Sequence, residues 1–166
     1  MTMRLLSIAA VAALASTSSA TLWEFMSILS GANEVPPNAS PATGTAIGTY
    51  DDVTNAFMMD TNATGFLANV TAAHIHIAPP GVAGPVVFPL SGTTGSTTYT
   101  AHDMFVFTAQ QETDFLAGLY YVNIHSAQFP GGEVRGQLNP TVVPEPSTVL
   151  GLLFGGSLLL GMRRRK

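Results

Sequence analysis

The residues best suited to chemistry fall on three short segments, each with polar side chains at every second position. In Ala72-Ala73-His74-Ile75-His76-Ile77 two imidazoles stand two residues apart, and the same spacing recurs in Asn123-Ile124-His125 and in Glu133-Val134-Arg135-Gly136-Gln137. Side chains alternate across a strand, so His74 and His76 share one face while Ile75 and Ile77 share the other. By the same rule Asn123 and His125 oppose Val122 and Ile124, and Glu133, Arg135 and Gln137 oppose Val134 and Leu138. Three such strands lying close together gather His74, His76, His125, Asn123, Glu133 and Arg135 into one candidate site. His-x-His on a strand lets both rings turn toward one ion; three neutral imidazoles suit Cu(II) or Zn(II), with copper ahead on intrinsic affinity. The bland alternative is that these histidines are solvated, or hydrogen-bonded in support of the adjoining loops. Asn123, Glu133 and Arg135 are the candidate binding residues. Glu133 and Arg135 form either a recognition edge or the solvated side of the last strand.

Other chemistry is thinly represented. His102, beside Asp103, is expected in a connection with no special role. Met58-Met59 offers soft donors for Cu(I), with one of the two expected in the core. Asp51-Asp52 reads as a turn after a strand rather than a calcium site or a carboxylate pair. The chain has no cysteine, which excludes thiolate nucleophiles, Cys-ligated zinc and disulfides. It contains neither a Gly-x-Ser-x-Gly elbow nor a phosphate loop.

The elements that must position these residues are short. Leu22 to Ser30, Thr43 to Tyr50, Ala56 to Asp60, Val70 to Ala78, Pro85 to Leu90, Ser96 to Ala101, Tyr120 to Ser126 and Glu133 to Leu138 read as strands between Gly, Pro, Asn and Asp turns. One helix is expected over Thr108 to Ala117, capped by Thr108 with Gln111 and ended by Gly118. About eight strands in one domain predict an all-β fold, a Greek-key sandwich or barrel.

Both ends read as addresses. Residues 1–20 carry Arg4, an apolar run from Leu5 to Leu14 and a small-x-small site at Ser18-x-Ala20, the order of a cleavable signal peptide. At the other end Val143-Pro144-Glu145-Pro146-Ser147 precedes an almost uncharged stretch, Thr148 to Met162, and then Arg163-Arg164-Arg165-Lys166. Such a stretch reaches across a thin membrane as a transmembrane helix, and the basic end stays in the cytoplasm. The expected division is therefore a signal peptide over 1–20, one domain over 21–140 and a C-terminal sorting signal over 141–166.

Charge narrows the partners. Of six basic residues, Arg4 lies in the leader and four lie in the tail, which leaves Arg135 as the only cation of residues 21–143. Of ten acidic residues only Glu145 falls outside that segment, so nine remain and its net charge is −8. A surface this acidic repels phosphate backbones, and nucleic acid is not an expected partner.

The tail from Val143 to Lys166 resembles the PEP-CTERM sorting signal of Gram-negative bacteria. That resemblance implies an inner-membrane anchored precursor and cleavage near Pro144-Glu145-Pro146 by an exosortase-type enzyme. It also implies delivery to the cell surface or the exopolysaccharide matrix.

The domain resembles the CHRD family. The matching stretches are Leu29 to Pro37, Ala73 to His76, Gly118 to Ser126 and Phe129 to Leu138. This resemblance implies an immunoglobulin-like antiparallel β-barrel with no general enzymatic assignment. The pattern is in turn similar to copper/zinc superoxide dismutase, where a His-x-His strand, a later histidine and an arginine surround copper. His74, His76, His125 and Arg135 stand in that chain order, but the zinc-ligand cluster and the cysteine pair are missing. The leading expectation is a non-enzymatic surface or matrix protein that needs no cofactor. The alternative is a copper-binding module using His74, His76 and His125. Behind both stands a dismutase-like enzyme with Arg135 steering the anion.

Overall fold

Alternating inward apolar and outward polar residues give nine strands in the computed structural model, which describes residues 20–144. They are β1 (Leu22–Ser30), β2 (Thr43–Asp51), β3 (Ala56–Thr64), β4 (Val70–Ile77), β5 (Val86–Pro89), β6 (Thr98–Val106), β7 (Tyr120–Ser126), β8 (Val134–Gln137) and β9 (Thr141–Val142). A 3-10 turn, Gly31–Asn33, follows β1, and one helix, α1 (Ala109–Leu116), precedes β7. The expected signal peptide (Ala20 apart), Glu145, Pro146 and the expected transmembrane helix lie outside the described residues. Among the described residues, no helix is long and apolar enough to cross a membrane.

All strands join one antiparallel sheet in the order β5-β4-β7-β8-β1-β2-β3-β6, with β9 added beside β1. The all-β expectation holds, in the form of one curled sheet. Curling brings the two edge strands together through side chains: Phe88 of β5 stacks on Phe105 of β6 at 4.4 Å between centroids. Just beyond β5, Ser91 N donates to Asp103 Oδ1 at 2.9 Å. The barrel therefore has a seam sealed by rings and a carboxylate rather than by a strand ladder.

Two strands are longer than the sequence predicts. β3 and β6 pair in unbroken register from Ala56 opposite Val106 to Thr64 opposite Thr98. His102 thus lies within a strand, not in a connection. The apolar pattern fades there because Thr61 and Asp103 point inward and are buried. Polar residues on the core face hide a period-2 signal from any reading based on hydrophobicity.

Aromatic rings fill the interior. Phe115 of α1 is fully buried and meets Phe25, Tyr50 and Phe57 with centroids 5.4–5.6 Å apart. Burial of one such side chain contributes about 1.5–3 kcal/mol. The helix holding this plug starts as the sequence predicts: Gln111 N donates to Thr108 Oγ1, and Thr108 N donates to Gln111 Oε1. Gly118, at φ 70°, ends it in a conformation that glycine adopts without strain.

The outer faces of the two halves of the sheet differ. Over β4, β7 and β8 the segment 78–85 folds across the polar side chains and bonds to them. Over β1, β2, β3 and β6 the outward residues Met26, Ile28, Ile47, Met58 and Met104 are exposed.

Candidate metal centre

Register decides which polar residues meet. Across β4 and β7, Ala72 faces His125, His74 faces Asn123 and His76 faces Tyr121. Across β7 and β8, Asn123 faces Arg135 and Tyr121 faces Gln137. A bulge between Ile75 and His76 on the β5 side breaks the ladder where His76 must be aimed, a common use of bulges. His74, His76 and His125 converge: one ring nitrogen from each lies within 4.8 Å of the others. An ion 2.0–2.1 Å from three nitrogens needs them about 3.3–3.6 Å apart, so closure asks for shifts of about 1 Å.

The hydrogen bonds fix which nitrogens carry lone pairs. His76 Nδ1 donates to Gly84 O at 2.9 Å and His125 Nδ1 donates to Pro130 O at 3.0 Å. Carbonyl oxygens only accept, so the neutral form of each ring carries its proton at Nδ1 and leaves Nε2 as the lone-pair nitrogen. The Nε2 of His76 is buried and has no partner. The Nε2 of His125 accepts from His74 Nδ1 at 3.1 Å, a bond that an ion would replace. Carbonyl-anchored rings with free Nε2 atoms are the arrangement seen behind ligating histidines. Burial, reinforced by the nearby charge of His76, lowers the pKa of His74. His125 is lowered by burial and by both other imidazoles, against the opposing bond to Pro130. Both shifts favour the neutral form that coordinates a metal.

The remaining candidates divide. Arg135 is 3% exposed and Glu133 0%, so neither solvates the last strand nor forms a surface recognition edge. The guanidinium of Arg135 lies 3.4 Å from the centroid of Tyr121, which also stacks on His76 at 5.1 Å. Arg135 Nη1 donates to Val82 O at 2.8 Å, and Gly84 N donates to the Tyr121 hydroxyl at 2.9 Å. Arg135 and Tyr121 therefore hold the segment that delivers the Gly84 carbonyl to His76. The donors of Arg135 are thus spent on loop carbonyls and Gln137. Glu133 leaves the group: its Oε1 accepts from Ser40 Oγ at 2.6 Å and from Leu67 N at 2.9 Å, tying two loops to the start of β8. Asn123 is buried beside Glu34, with its Nδ2 3.5 Å from Glu34 Oε2.

Sequence reasoning passed over Tyr121, Glu34 and the carbonyls of Gly84 and Pro130. Tyr121 was within reach, because 121, 123 and 125 share a face. Glu34 sits in a loop where no periodicity applies. Burial raises its pKa from 4.5 to about 7, against the pull of Arg135, the Val35 N–H and Asn123. A backbone carbonyl leaves no mark on residue type at all.

No curated protein and no solved structure matches the chain. The PEP-CTERM protein-sorting motif matches residues 142–166, which marks an exported protein processed at the membrane and recognised by an exosortase-type enzyme. The CHRD domain model matches residues 25–138, from β1 through the residue after β8, and the chain belongs to the CHRD-domain family.

Proposed function

We propose that this protein is a non-enzymatic copper-binding module. In this reading it is displayed at the cell surface or in the exopolysaccharide matrix and takes Cu(II) at His74, His76 and His125. The observation that carries the reading is the partnerless, buried Nε2 of His76, which faces two other imidazoles while its Nδ1 is tied to Gly84 O. A buried acceptor without a partner costs about 1–3 kcal/mol, and an ion removes that cost. Copper leads zinc at an all-imidazole site on intrinsic affinity. The strongly acidic surface suits attraction of cations outside the cell. Display on the surface rests on the sorting motif.

Titration of residues 21–143, which hold all nine strands, with Cu(II) tests the proposal by calorimetry and electron paramagnetic resonance. The expected result is one equivalent bound with nitrogen hyperfine structure, lost in His76→Ala and in His125→Ala. Binding that survives both substitutions, or no saturable binding, overturns it.

A further inference from the structure

On the opposite half of the sheet, two methionines and a histidine–carboxylate pair form a square that the imidazole centre does not use. Met58 of β3 lies directly across from Met104 of β6, and Asp60 lies across from His102. Residues two apart share a face, so all four side chains stand on the outer surface. Opposed pairs have Cβ atoms about 4.5–5.5 Å apart, within reach of long side chains. Met58 is 39% exposed and Met104 63%, whereas Met59 between the strands' inward residues is 1% exposed. Methionine ordinarily fills gaps in cores; here two thioethers sit side by side in water.

His102 Nδ1 bonds to Asp60 Oδ1 at 2.7 Å. A carboxylate accepting from Nδ1–H fixes the tautomer and leaves Nε2 as the free ligand atom, as in histidines that ligate metals. We propose that Met58, Met104 and His102 form a surface site for Cu(I), with Asp60 orienting the imidazole. Two thioethers and one imidazole are a soft donor set that selects Cu(I) over hard divalent cations. Residues 21–143 contain no cysteine, so methionine is their only soft sulfur donor. The inference stands on different residues from the three-histidine centre and does not depend on it.

The test uses the full chain in detergent under argon, with ascorbate to keep copper reduced and 13C-labelled methionine methyls to read the site. Cu(I) is expected to shift the methyls of Met58 and Met104 with saturation at one equivalent, including in the His76→Ala, His125→Ala background. Met26, 64% exposed on the same half of the sheet but without a histidine neighbour, serves as internal control and is expected to stay in place. Replacing both methionines by leucine on an exposed face keeps the fold and is expected to abolish the saturable shift of the His102 ring. Asp60→Asn is expected to weaken binding by about 10- to 100-fold. Parallel movement of Met26, absence of saturation, or unchanged affinity in the double leucine variant overturns the proposal.

Discussion

The two halves of the sheet solve the same problem differently. Over β4, β7 and β8 the outer face carries His74, His76, Tyr121, Asn123, Arg135 and Gln137, and backbone from 78–85 crosses it to meet His76, Tyr121, Arg135 and Gln137. Over β1, β2, β3 and β6 the outer face carries threonine, methionine and isoleucine, with no such cover. Polar side chains at the covered half are held by fixed dipoles, so their geometry is set before any ligand arrives. On the bare half His102 and Asp60 are held by each other. Pre-organisation thus comes from the loops laid over the strands as much as from the strands.

The sharpest way to break this contrast is to remove a ligand from each side. His125→Ala is expected to eliminate stoichiometric Cu(II) binding, while His102→Ala leaves it intact; calorimetric titration of both variants checks this. Equal losses in the two would mean that the halves are not distinct.

Next in size is the clamp. Arg135→Met removes hydrogen bonds from a buried cation to Val82 O and Gln137 Oε1, and is expected to cost about 2–4 kcal/mol. It should also weaken Cu(II) by about tenfold through the freed Gly84 carbonyl. Urea unfolding and copper competition measure the two effects. Loss of stability with no change in copper affinity would sever the clamp from the centre.

A smaller effect sharpens the comparison through pH. Burial raises the Glu34 carboxyl to about 7 against 4.5 in an ordinary setting, so the folded state holds this proton more tightly than the unfolded state. The contribution to stability is therefore favourable below the unfolded value, falls as pH rises through that window and levels off above about 7. Glu34→Gln is expected to flatten this decline and raise the melting temperature at pH 8, read by thermal melts across pH 4 to 8. A parallel pH profile in both proteins would remove Glu34 as its source. Smallest of all, Ile47→Thr on the bare face is expected to change stability by no more than about 0.5 kcal/mol, whereas a comparable change under the loops costs several times more.

Much of the covered half was legible from residue type. The alternation in Ala73-His74-Ile75-His76 and Tyr121-Val122-Asn123-Ile124-His125 places both histidine strands and their faces, and Thr108 with Gln111 places the helix start. What was not legible depends on contacts distant in sequence. Glu133 and Arg135 are two residues apart and both charged, which reads as a solvated edge. Their burial follows from Ser40 and Leu67 in one case and Val82 in the other. The full length of β6 was hidden because Asp103, an inward residue, finds its partner at Ser91 across the seam.

The burial of Arg135 reaches beyond the three-histidine cluster. Residues 21–143 contain no lysine and no other arginine, so this is the single bond of the domain open to proteases that cut after basic residues. In the folded barrel its side chain is 3% exposed and its backbone is engaged in β8. Such proteases meet a folded surface with nothing to recognise, and cleavage at that one bond counts only molecules that have opened. The residue that braces the loop is thereby also a built-in gauge of unfolding.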